Sequence, residues 1–128
     1  MKKTLFLVIF TLFCIGNIQA LEVVEDGPEF PGGMTKLMPF IQENMRYPKI
    51  AIKKGIEGRV ICQFTVTKDG SIENVFVVRG LHKSLDKEAV RIIKKMPKWK
   101  PGKRKGENVD YKYTIPVEFK LNKETANP

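Results

Sequence analysis

A chain of 128 residues, 42% hydrophobic and 29% charged, holds one modest core and not two domains. Its net charge of +9 favours anionic partners, and a single histidine with two cysteines leaves no Cys/His ligand cluster for zinc.

The first twenty residues, MKKTLFLVIFTLFCIGNIQA, read as a secretory signal. Lys2 and Lys3 precede an apolar run from Leu5 to Ile15, and polar residues lead to Ala20. The run is short for a membrane span, which needs about 20 residues. Ile18 is bulkier than the usual residue three before a cut, so a short uncleaved anchor is the alternative. Cleavage would leave Leu21 as the mature N-terminus and Cys62 as the single cysteine. Taking Lys2 and Lys3 from the +9 leaves +7. Residues 21–33, rich in Glu, Pro and Gly, are expected to be an irregular lead-in. Residues 34–121 then form the domain, and 122–128 a polar tail.

Met34, Leu37, Met38, Ile41 and Met45 fall at helical spacing and are expected to pack as a core stripe, with regular helix beginning near Pro39. After Arg46-Tyr47-Pro48, the segment KIAIKKG makes a turn or two of helix closed by Gly55. In GRVICQFTVT, Val60, Cys62, Phe64 and Val66 share one face, so Cys62 reads as a buried apolar residue. Lys68-Asp69-Gly70 is a turn signal, and SIENVFVVRG is the return strand. Its phase shifts between Ile72 and the pair Val75 and Val77, predicting a bulge near Asn74.

A second helix follows, with Ser84 as expected N-cap and an apolar stripe of Leu85, Ala89, Ile92, Ile93 and Met96; Pro97 stops it. PKWKPGKRKGENVD then reads as a loop. Its lysines and Arg104 surround Trp99, which is expected to fold onto the core edge. Attraction of this loop to an acidic protein or an anionic membrane is the alternative.

The last element, YKYTIPVEFKL, alternates more cleanly than any other segment. Tyr111, Tyr113, Ile115, Val117, Phe119 and Leu121 lie on one face, and Lys112, Thr114, Pro116, Glu118 and Lys120 on the other. Proline has no N–H for a ladder and is tolerated on an edge. The order helix, strand, strand, helix, strand then gives an α+β fold. Two helices pack on one face of a three-stranded antiparallel sheet, ordered 3-1-2, with the last strand at an edge.

Chemistry-bearing constellations are few. Cys62, His82 and Asp86 can be written as a nucleophile set, but Cys62 points inward by periodicity. The glycines punctuate element ends and form no phosphate cradle. A secreted protein with one tryptophan has a poor stacking track for nucleic acid. The expectation is no enzyme, no cofactor, no metal and no nucleic-acid partner.

The runs YPKIAIKKGIEGRV, FTVTKDGSIENVFVV, LDKEAVRIIKKMPKWKPG and YTIPVEFKL together resemble the C-terminal domain of the TonB family, over roughly residues 29 to 121. The ordered set of Tyr47, Pro48, Gly55, Glu57, Gly58, Asp69, Gly70, Trp99, Pro101 and Gly102 carries the resemblance. It implies the same fold. It also implies a periplasmic binding module that takes up the TonB box of outer-membrane transporters as an added strand. By resemblance, Asn44, Met45 and Arg46 touch that peptide, beside an edge formed by Lys112, Thr114, Pro116, Glu118 and Lys120. The ExbB–ExbD complex, a full-length transducer and a second copy of the chain are further partners it suggests. About ten residues separate Ala20 from Pro31, a reach of at most ~35 Å, so a binding module is expected rather than a complete transducer. The competing expectation is an envelope assembly protein that pairs through the same edge.

Phe64 faces inward by the period of its own strand. Phe64→Ala should lower stability by about 3–5 kcal/mol, read as a fall in the thermal midpoint; an unchanged melt would mean that the strand phase is wrong.

Overall fold

The structure, a computed structural model, describes residues 26–122. The signal sequence with its cut after Ala20, the start of the lead-in and the tail beyond Asn122 lie outside the described residues. A turn of 3-10 helix (Met34–Lys36) leads into α1 (Leu37–Asn44), followed by α2 (Lys49–Lys54), β1 (Gly58–Val66), β2 (Ile72–Arg79), α3 (Lys83–Lys94), β3 (Gly102–Arg104), β4 (Glu107–Val109) and β5 (Tyr111–Phe119). The main sheet is ordered β2-β1-β5 and all antiparallel, which is the 3-1-2 arrangement read from the sequence.

The core lies between this sheet and the helices. Val60, Cys62, Phe64 and Val66 of β1 are fully buried, as are Leu85, Ala89, Ile92 and Ile93 of α3, and Ile115, Val117 and Phe119 of β5 complete the same layer. Pro39 occupies the first turn of α1, where a backbone N–H has no acceptor within the helix. Gly55 closes α2 at φ 65°; its N–H reaches the Ile52 carbonyl (3.1 Å), and that of Ile56 reaches the Ala51 carbonyl (2.9 Å).

Three details depart from the sequence expectation. Met38 is 45% exposed, not part of the core stripe. Leu37 and Ile41, four apart, define the buried line of α1, and Met38 is rotated off it by one helical step. The N-cap of α3 is His82 rather than Ser84. His82 is extended (φ −149°, ψ 145°), and its Nδ1 accepts from the Ser84 N–H at 3.2 Å, so helix begins at Lys83.

The third departure is the basic loop, which contains a hairpin. β3 and β4 pair through Gly102↔Val109 and Arg104↔Glu107, and Lys105 (φ 51°) with Gly106 (φ 79°) supplies the two left-handed residues of a tight turn. Its strands are three residues each, with Val109 their one apolar side chain, so no alternation announced them.

The bulge at Asn74 is present. Asn74 has φ 53°, and the register jumps from Gln63↔Phe76 to Thr65↔Glu73. Trp99 is folded inward at 2% exposure, with its ring edge-on or tilted to Phe30 (5.7 Å), Phe64 (5.4 Å) and Tyr113 (5.3 Å). Its buried Nε1 has no hydrogen-bond partner among the described residues, at a cost of about 1–3 kcal/mol. The three ring contacts, each worth about 0.5–1.5 kcal/mol, offset it. The lead-in reaches the same place: Glu29 bridges Lys100 and Asp26 bridges Lys103, which seats Phe30 in the core.

Gly70 sits where this cluster meets the β1–β2 turn. Its carbonyl accepts the Trp99 N–H at 2.9 Å, its φ is +87°, and an added Cβ would lie 2.0 Å from the Trp99 carbonyl oxygen. Gly70→Ala should therefore destabilise by about 2–5 kcal/mol, combining backbone strain with overlap. Gly55→Ala, at φ +65° with nothing within 4 Å of the new Cβ, should cost only about 1–2 kcal/mol. Thermal melts of the two variants should separate accordingly.

Candidate functional site

β5 pairs with β1 over nine consecutive residue pairs, from Gly58↔Phe119 to Val66↔Tyr111, with no shift in register. No other strand of the described residues joins its far side. The side chains of Lys112, Thr114 and Pro116 are exposed, Glu118 is half-buried, and Lys120 is exposed just past the strand. On this outer face Gln63 Nε2 donates to Thr114 Oγ1 (3.2 Å), and Arg59 Nε pairs with Glu118 Oε2 (3.2 Å). Pro116 stands opposite Ile61, and the pairing continues through it unbroken.

The second part of the expected site, 44–46, links α1 to α2. Met45 is extended (φ −73°, ψ 131°). Two side chains of α3 grip the segment. Arg91 Nη2 donates to the Asn44 carbonyl at 2.6 Å, and the Arg46 N–H donates to Glu88 Oε2 at 2.6 Å. Arg91 and Glu88 are themselves joined by two bonds, Nε to Oε1 and Nη2 to Oε2, both 2.7 Å. Glu88 is only 8% exposed, and its hydrogen bond holds the Arg91 guanidinium pKa above the ordinary value.

Tyr47 ties the segment to the edge strand. Its ring lies edge-on to Phe119 (5.6 Å, 85°), and its hydroxyl donates to the Ile56 carbonyl. Burial, and then the Glu57 carboxylate, raise its phenol pKa. Pro48 follows as the extended residue before α2. The structure thus brings the end of β5 and the 44–48 segment together through one aromatic contact.

The grip of Glu88 and Arg91 on the 44–46 segment escaped the sequence reading. The available signal was Glu88 at the i+3 position between Leu85 and Ala89, a charged residue on the apolar line of α3.

Of the remaining motif residues, Asp69 and Gly70 lie in the β1–β2 turn at the opposite end, whereas Gly58 stands opposite Phe119. Pro101 is half-buried and Gly102, at the start of β3, is buried with Asp26 and Pro28 close by. Gly58 opens β1 at φ 142°. Asp69 organises the β1–β2 turn: Thr67 Oγ1 donates to its Oδ1, the Ser71 N–H does so at 3.1 Å, and Lys98 stands 4.0 Å from Oδ2.

Cys62 is buried, and burial, followed by the charge of Asp86, pushes its thiol up to about 11. His82 Nδ1 is engaged by Ser84 (2.8 Å). These residues serve the core and a helix cap rather than a nucleophile set. Among the described residues no helix is long and apolar enough to cross a membrane.

The fold and edge define a small α+β domain: two main helices and a short third against a three-stranded antiparallel sheet. A profile of the family described as Gram-negative bacterial TonB protein C-terminal matches residues 43–121, and the chain belongs to that family. Two solution structures of the Helicobacter pylori TonB C-terminal domain are similar. One gives a TM-score of 0.51 at 33% identity, covering 68% of this chain and 91% of that one. The other gives 0.55 at 28% identity, covering 70% and 81%.

Among curated relatives, Protein TonB of Helicobacter pylori is 40% identical over 47 residues, 37% of this chain and 17% of that protein. Protein tonB2 of Pseudomonas aeruginosa is 32% identical over 77 residues, 59% of this chain and 28% of the relative. Protein TonB of Pseudomonas aeruginosa is 29% identical over 111 residues, 80% and 32% respectively. The chain therefore spans a third or less of the lengths of these relatives.

The Asp69 turn has a measurable signature. The Thr67 hydroxyl, then Ser71 and Lys98, lower its carboxyl pKa to about 2. A lowered folded pKa means that the contribution to stability is complete above the ordinary carboxylate value. It is lost as pH falls from there through about 2. The Asp69 carboxyl resonance should titrate near 2, and Thr67→Val should move that midpoint up toward the ordinary range.

Proposed function

We propose that this chain is a periplasmic protein-binding module of the TonB type, without enzymatic activity. In this reading it engages the TonB box of outer-membrane transporters as a strand added along β5, in energy-coupled transport. The observation that carries the proposal is the open far side of β5 with Pro116 at its middle. An unbroken register through a proline is what results when its nitrogen faces away from β1. In an antiparallel strand the backbone groups of one residue point to one side, and the side alternates. Lys112, Thr114, Glu118 and Lys120 would then turn their N–H and C=O groups to the open side, with Pro116 offering a carbonyl alone. A partner strand pairs there with a missing donor at its centre, which suits a short segment held reversibly.

The other edge supports the choice of β5. β2 carries shifts between Ile61 and Cys62 and between Gln63 and Thr65, and such bulges twist a strand out of a flat pairing geometry. Transporters are thus the proposed partners. The ExbB–ExbD complex, a full-length transducer or a second copy of the chain are the further associations the family suggests. Pairing with another envelope protein through the same strand, with no transport role, is the competing outcome.

The test is a titration of labelled domain with a transporter N-terminal peptide containing a TonB box, followed residue by residue. Chemical-shift changes should concentrate at 114–120 and 44–46. Changes confined to 98–105 and abolished by moderate salt would show attraction by charge alone and overturn the edge-strand reading.

A further inference from the structure

We infer that Glu88 and Arg91 are positioning residues for the partner-binding surface: through their side chains α3 takes the place of a neighbouring strand for 44–46. This deepens the reading just proposed and rests on it.

The geometry is specific. Arg91 Nη2 reaches the carbonyl of Asn44, and Glu88 Oε2 receives the N–H of Arg46, both at 2.6 Å. A carbonyl and an N–H two residues apart point to the same side of an extended chain. They are the pair that one residue of a parallel neighbouring strand would bridge. Here the bridge is made by a carboxylate and a guanidinium locked to each other by two 2.7 Å bonds.

With 44 and 46 turned toward α3, the backbone of Met45 is turned the other way. Its N–H makes one long contact, 3.4 Å to the Gln42 carbonyl. The segment leaves α1 at Asn44 and is extended at Met45, whose N–H caps the helix on Gln42, and Tyr47 fixes it next to the Phe119 end of β5.

A stability role alone accounts less well for the pair. A buried ion pair is often matched or exceeded in stability by apolar residues of similar size. Position 88 lies on the line of Leu85, Ala89 and Ile92, where an apolar side chain would pack. Arg91 also closes the C-terminal end of α1 at Asn44, a capping duty that lysine can share. The bridge from Asn44 through Glu88 to Arg46 needs the forked guanidinium.

The experiment uses Glu88→Gln and Arg91→Lys in two arms. In the free protein, nitrogen relaxation and amide shifts are read at Met45 and Arg46. In the second arm, affinity is measured for the same TonB-box peptide. The expected result is an upfield move of the Arg46 amide, lower order at 45–46 and roughly tenfold weaker peptide binding. Amide protection in β1 and β5 should be unchanged. Arg91→Lys should retain the end of α1 yet lose the Arg46 signature.

Unaltered Arg46 signals in both variants would overturn the inference, as would unaltered affinity in variants of a wild type that binds. A loss of affinity that only tracks a general loss of β-sheet protection would also overturn it. If Glu88→Gln fails to fold, Arg91→Lys decides alone, since Arg91 is 30% exposed. A wild type that binds no peptide defeats the proposed function, while the free-protein arm still decides whether 44–46 is held by the pair.

Discussion

The pairing of β1 with β5 is the constraint from which the rest follows. Nine residue pairs in constant register mean that one face of both strands is apolar at every second position. Val60 meets Val117 and Cys62 meets Ile115 on that face, and a slip of one residue would turn all of them to water. The register also decides which side of β5 can forgo a donor, and Pro116 marks it. The second neighbour of β1 is held less regularly. β2 is bulged twice, and Phe76 and Val78 remain about half exposed on it. The sheet thus has two edges of different character, one in constant register and interrupted by a single proline, the other bulged.

What the sequence made legible was what period alone can carry. Val60, Phe64, Val117, Phe119 and Ile92 were readable as core because each sits in a run whose spacing matches one element, and all are buried. The sheet order followed from the helix between β2 and β5 and from one proline. Asn74 was readable because a bulge shifts the phase of apolar positions. Elements without apolar period were not legible. β3 and β4 are three residues each, with Val109 their one apolar side chain, held by backbone pairing and the Lys105-Gly106 turn. His82 as a cap was hidden because Ser84, the residue with the stronger intrinsic preference, stands two positions away and receives rather than supplies the cap.

The edge half of the candidate site was legible for the same reason as the core. The helix half was not. Asn44, Met45 and Arg46 came from resemblance to a family, with nothing in their own spacing to single them out. The side chains that hold them, Glu88 and Arg91, lie 42 to 47 residues further along the chain. A contact of that separation has no local pattern. Its only trace in sequence is a glutamate where α3 would otherwise carry an apolar residue.

The placement of the lead-in has a mechanical consequence. The described chain enters the fold at Asp26, bonded to Lys103, and Phe30 lies against Trp99. Trp99 also touches Tyr113, near the start of β5, whereas Tyr47 and the 44–46 segment lie at its Phe119 end. A pull on the chain at residue 26 and a load held near Phe119 therefore act on opposite ends of the same strand. The β1–β5 bonds run across the strands, so a force that slides β5 past β1 loads them side by side in shear rather than one after another. A domain connected in this way resists being drawn out lengthwise far better than being peeled from its edge.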